Sequence, residues 1–107
     1  MRILLDECLP RKLKNGFPSY ECRTVPEAGI AGTRNGLLLS LAESRGFDVF
    51  LTMDKGLEYE QNLRGRRIAI IVFRARSNRL VDLLPYVPAC VSVLSTIAPG
   101  QLVRVGG

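Results

Sequence analysis

Two aspartates follow apolar runs in this chain: Asp6 after Ile3-Leu4-Leu5, and Asp54 after Val49-Phe50-Leu51-Thr52-Met53. Carboxylates brought within a few ångströms of each other repel unless a proton or a cation compensates, and hard divalent cations prefer oxygen ligands. A cation held in this way lowers the pKa of a bound water and polarises phosphoryl oxygens, which is the chemistry of metal-assisted phosphodiester hydrolysis. Taken singly, each acid reads as a solvated charge or a helix cap. The coincidence of two acids at two apolar strand ends points instead to a cation site. Asp6 and Asp54 make the better ligand pair than Glu7, one residue on, and Glu43, late in a helix, is expected to face solvent.

Other chemistries are excluded by composition. The chain contains no histidine, so no His general base, His-containing triad or zinc-finger ligand set is possible. Cys8, Cys22 and Cys90 are odd in number and lack C-x-x-C spacing, and read as reduced thiols acting as small apolar side chains. Fifteen Lys and Arg against ten Asp and Glu give a net charge of +5, and arginine, the majority cation, favours bidentate contacts to phosphate. A polyanion partner fits this balance, as does a basic surface that serves solubility.

The elements that must position the two acids follow from periodicity. Ile3-Leu4-Leu5 has no polar alternation, the pattern of a strand buried on both faces of a parallel sheet. Residues 9–14 form a short helix with Pro10 early, stopped at Asn15-Gly16. Residues 20–25 alternate and make a strand nearer the sheet edge, and 26–29 give at most one helical turn. A helix capped by Asn35 or Thr33 runs to about Arg45, with Leu37, Leu38, Leu41 and Ala42 on its buried stripe and Gly46 as terminator. Residues 48–52 are a second buried strand, 57–63 a short helix, and 68–73 the strongest strand. A helix from Leu80 breaks and restarts at Pro85 and Pro88 and continues to about Ile97, and 102–105 form a last strand.

Strands alternating with helices call for a single α/β domain over 1–107, three-layered and Rossmann-like, with a mainly parallel sheet of about five strands. In such a sheet ligands bind at the carboxyl ends of the strands. Asp6, Glu7, Asp54 and the arginines after the fourth strand, Arg74, Arg76 and Arg79, are therefore expected to face one crevice.

With these residues in place, the chain resembles the PIN-like nucleases related to the toxins of bacterial toxin-antitoxin pairs. The resemblance is carried by Leu4-Leu-Asp-Glu-Cys-Leu-Pro10, Asn35-Gly-Leu-Leu-Leu-Ser-Leu-Ala42, Leu51-Thr-Met-Asp54 and Ser77-Asn-Arg79, and spans nearly the whole chain. It implies a small nuclease whose acids hold Mg²⁺ or Mn²⁺ to cleave single-stranded RNA. Asp6 and Asp54 match the family's metal ligands, and Thr52 the hydroxyl beside the second, which is expected to contact substrate. Asn35 stands where many relatives have a catalytic Asp, and Cys8 where they have Asn. An amide at 35 can donate an oxygen but brings no charge. Arg74, Arg76, Asn78 and Arg79 are then expected to contact the RNA backbone, and Tyr59, Gln61 and Asn62 its bases or sugars.

Two other readings compete with a toxin ribonuclease. One is a PIN-like domain with weakened catalysis that binds RNA or a partner protein. The other is a phospho-acceptor receiver, with Asp54 phosphorylated and Ser77 after the fourth strand, but the lysine such domains want after the fifth strand is missing from Val103-Arg-Val-Gly-Gly107. The charge-free stretch 83–103 is too interrupted by Pro, Gly and hydroxyls to span a membrane. With Tyr86, Val87, Val91 and Leu94 it offers surface for an antitoxin or a second copy. No signal-peptide pattern opens the chain, so a cytoplasmic protein is expected.

Overall fold

The computed structural model describes residues 1–57 and 63–107, with Asn35 described by its backbone alone. Five strands, β1 (Arg2–Leu5), β2 (Glu21–Thr24), β3 (Val49–Thr52), β4 (Ala69–Arg74) and β5 (Leu102–Gly106), form one sheet in the order β2-β1-β3-β4-β5. Every neighbouring pair is parallel. The apolar runs explain the central positions: β3 is buried throughout and β4 in all but its last residue, while the alternating β2 occupies an edge.

Odd and even residues of the central strands feed two separate cores, as the period of two requires. Ile3, Leu5, Leu51, Ile71 and Phe73 pack on one face with Leu13 and Phe17, Leu83, Val87, Cys90 and Leu94. Leu4, Phe50, Ile70 and Val72 pack on the other with Leu38, Leu39, Ala42 and Phe47. The result is a three-layer α/β domain.

The first connection is a 3-10 helix, Arg11–Gly16. The second contains α1 (Asn35–Ser44). At its end Gly46, at φ +82°, donates to the Glu43 carbonyl and Phe47 to that of Ala42, a Schellman closure that a left-handed glycine accommodates. Its start differs from expectation, because Arg34, extended in backbone, occupies the cap position without a side-chain bond and Asn35 is the first helical residue. The Thr33 hydroxyl instead donates to the Ile30 carbonyl. The buried stripe is also rotated: Leu39 is fully buried and Leu37 is 60% exposed.

Glu43 does not face solvent as expected. It is only 13% exposed and accepts from the Arg66 guanidinium at 2.6 Å and the Arg67 amide at 2.8 Å, while Arg66 also reaches Ser40 and the Gly36 carbonyl. The loop before β4 is thereby fastened along α1. Burial pushes the Glu43 carboxyl up, but the Arg67 amide and the Arg66 guanidinium outweigh it and the net displacement is downward. Stability from this clamp is complete above the ordinary carboxylate range near pH ~4.3 and is lost as pH falls through the depressed value. Arg66→Met is expected to cost roughly 2 kcal/mol at neutral pH, and less once Glu43 is protonated. Urea unfolding at neutral and strongly acidic pH checks this. An undiminished difference in acid would mean that the Glu43 pairing is not what the substitution removes.

Between β4 and β5 the chain forms α2 (Leu80–Leu83), a 3-10 turn (Leu84–Tyr86) and α3 (Val87–Leu94), so the break at Pro85 and the restart near Pro88 fall as expected. Val87 and Leu94 face the sheet, whereas Val81, Leu84 and Val91 are exposed. Of the helix expected over 57–63, Leu57 is helical, Leu63 is not, and residues 58–62 lie outside the described residues. Among the described residues no helix is long and apolar enough to cross a membrane.

Candidate active site

From β1 the chain passes to β2 on one side, and from α1 it returns to β3 on the other, so the sheet order reverses between β1 and β3. The carboxyl ends of the two strands flanking such a reversal diverge into a crevice, because their connections leave on opposite faces. Asp6 follows β1 and Asp54 follows β3, and both line one cleft of about 580 Å³. Glu7, Gly32, Thr33, Arg34, Leu38 and Leu57 complete its wall.

The two acids are mechanically coupled. Asp6 is kept in line with the sheet by its N–H, which donates to the Leu51 carbonyl at 2.9 Å. Its Oδ1 accepts from the Glu7 amide at 2.8 Å and its Oδ2 from the Thr52 hydroxyl at 2.7 Å. The same Thr52 oxygen accepts from the Asp54 amide at 3.0 Å. One fully buried hydroxyl thus fixes the rotamer of the first acid and the backbone of the second. Asp54 Oδ1 accepts from the Gly56 amide at 2.9 Å, closing the turn that points the carboxylate outward. Among the described residues, no ion pair involves Asp6, Glu7 or Asp54.

Cys8 completes the arrangement from below. Its thiol donates to Asp6 Oδ2 at 3.5 Å and lies 3.7 Å from the Thr52 hydroxyl. Burial pushes it up from its ordinary value, the Met53 backbone opposes this, and the Asp6 charge pushes the same way as burial. It therefore stays a neutral thiol. Cys22 and Cys90 are pushed up to about 12 by burial and are free, as small apolar side chains would be.

A structural cage for a metal is not built here, since among the described residues no group of three or more His, Cys, Asp or Glu side chains converges on one point. Two carboxylates opening to solvent suit a different ligand. Mg²⁺ keeps several waters and is commonly held by one or two carboxylates together with substrate phosphates, a donor set that Asp6 and Asp54 fit.

The remaining expected site residues are distributed unevenly. Thr52, expected as a substrate contact, is fully buried and spends its hydroxyl on the two acids. Arg74, Arg76 and Arg79 leave β4, one strand beyond β3, and do not line the acid cleft. Asn78 donates to the Cys8 carbonyl at 3.1 Å, tying the exit of β4 to that of β1. Ser77 donates to Asp82 and accepts from the Arg79 amide at 3.0 Å, at the start of α2. Asn35 opens α1 directly after the cleft residue Arg34. Tyr59, Gln61 and Asn62 lie outside the described residues. Arg34 is the cleft cation that sequence reasoning missed; its position just before the predicted helix was the available signal.

Comparison with protein-family models, with curated proteins and with solved structures returns no match for this chain.

Proposed function

We propose that the protein is a divalent-metal-dependent ribonuclease, hydrolysing phosphodiester bonds of single-stranded RNA at the Asp6–Asp54 cleft and acting in the cytoplasm as the toxin of a toxin-antitoxin pair. The observation that carries this reading is the joining of two acids from adjacent strands by the single buried Thr52 hydroxyl, at the point where the sheet order reverses. Its assignment to RNA rests on the resemblance to PIN-like nucleases and on the basic charge.

Mg²⁺ or Mn²⁺, held through Asp6 and Asp54, would supply a water of lowered pKa and a Lewis acid for the phosphoryl oxygens. The chain's own residues do the rest. Thr52 and the Glu7 amide hold the Asp6 carboxylate still, so that little reorganisation is needed on binding. Arg34, exposed on the cleft wall, offers a charge-assisted contact to phosphate. The exposed Val81, Leu84 and Val91 give an antitoxin or a second copy an apolar place to rest.

The reading is tested by incubating purified protein with single-stranded RNA and Mn²⁺, with chelator as control; metal-dependent cleavage supports it and its absence refutes it. Asn35 provides a gain-of-function arm. A carboxylate in the first turn of α1 is favoured by the helix dipole and adds negative charge one residue after the cleft residue Arg34. Asn35→Asp is therefore expected to enlarge the rise in melting temperature on adding Mn²⁺ and to increase cleavage severalfold. Equal Mn²⁺ responses in the two proteins would remove position 35 from the site.

A further inference from the structure

We infer that a single-stranded nucleic acid lies along one side of the molecule, over the β1 and β2 exits and the 3-10 helix, with its phosphates met by Arg34 at one end and by Arg11 and Lys12 at the other. This deepens the ribonuclease reading and rests on it for the point of cutting, though not for binding. Three clefts adjoin. Asp6 and Glu7 line both the acid cleft and a second cleft that continues past Leu9 and Pro26, and Arg11 lines both that second cleft and a third one walled by Lys12 and Leu80. Shared walls set the three clefts in a row.

The charges along the track are arranged for a polyanion. Arg11, Lys12 and Arg34 are exposed and form no ion pair among the described residues. The acid in the middle stretch, Glu27, is occupied: Lys14 donates to both its oxygens, at 2.9 and 2.8 Å, and together with the Thr24 amide holds its carboxyl down at about 2. Among the described residues lining the track, Asp6, Glu7 and Asp54 are the acids without an ion pair, at the place where the metal reading puts a cation. Cations at both ends with a compensated centre suit a phosphodiester chain drawn across the site. Pro10, Pro26 and Leu80 give the second and third clefts apolar wall for base faces. Arg74, Arg76 and Arg79 line none of the three clefts.

The test measures binding of a short fluorescein-labelled oligouridylate by anisotropy as salt is raised, in chelator so that nothing is cut. Arg11→Ala/Lys12→Ala is expected to reduce the slope of log affinity against log salt by about 0.7 per lost contact. A control that removes the same charge elsewhere, Arg23→Ala/Arg67→Ala, is expected to leave the slope in place. Equal slopes in all three proteins, equal reductions in both variants, or no binding by the wild type would each overturn the track. Oligodeoxythymidylate should bind comparably, because these side chains read phosphate; binding confined to RNA would contradict a phosphate-reading track. Cleavage with Mn²⁺ separates the two ideas. Normal binding slopes with no cleavage would leave the track standing and sink the nuclease, whereas intact cleavage with an unmoved slope would do the reverse.

Discussion

Asp54→Asn is expected to abolish metal-dependent RNA cleavage, a loss of at least about 100-fold, while the fold stays intact. The magnitude follows from what the carboxylate is asked to do: a metal contributes several kcal/mol of transition-state charge stabilisation, and each ~1.4 kcal/mol is a factor of ten. Stability should hardly move, because an amide oxygen at position 54 can still accept from the Gly56 amide. Asp6→Asn is expected to lose as much activity and somewhat more stability. Its two oxygens accept from different donors, the Glu7 amide and the Thr52 hydroxyl, and an amide offers only one acceptor oxygen. The check is cleavage under single-turnover conditions beside a thermal melt. Either variant cutting at the wild-type rate would remove that aspartate from the chemistry.

Thr52→Val should harm stability and activity together, although Thr52 is fully buried. Valine has nearly the same shape, so packing is kept and only the hydroxyl is lost. That loss leaves the Asp54 amide without its Thr52 acceptor and Asp6 Oδ2 without its Thr52 donor. An unmet buried polar group costs about 1–3 kcal/mol, several degrees of melting temperature in a domain of this size. Loss of a group that orients a ligand typically lowers metal affinity or activity by ~10–100-fold. Thr52→Ser retains the hydroxyl and should recover most of the Mn²⁺ affinity. Unchanged Mn²⁺ affinity in the valine variant would show that the acids do not depend on this bridge.

The parts of this arrangement that were legible in the sequence are those set by local pattern. Uninterrupted apolar runs marked β1, β3 and β4 as central, and an acid at the end of two of them marked the cleft that both acids line. Pro85 and Pro88 marked the break between α2 and α3 because proline cannot continue a helix without losing a hydrogen bond. Illegible parts depend on partners far along the chain. Three successive leucines at 37–39 allow several registers for α1, and only packing against Phe50 and Ile70 selects Leu38 and Leu39. Glu43 reads as a surface acid until the loop at Arg66, 23 residues on, is folded against it. Parallel strands place every exit on one edge, but they do not say which exits share a crevice. That depends on where the strand order reverses, which is why Arg34 lines the acid cleft and the arginines after β4 do not.

The joint ligation of one divalent ion by Asp6 and Asp54 is tested most directly by titrating the protein with Mn²⁺ and following the free ion by electron paramagnetic resonance. The wild type is expected to take up one equivalent, with Asp6→Asn and Asp54→Asn each taking up almost none at the same concentrations. Equal uptake by all three proteins, or none by the wild type, would contradict the account.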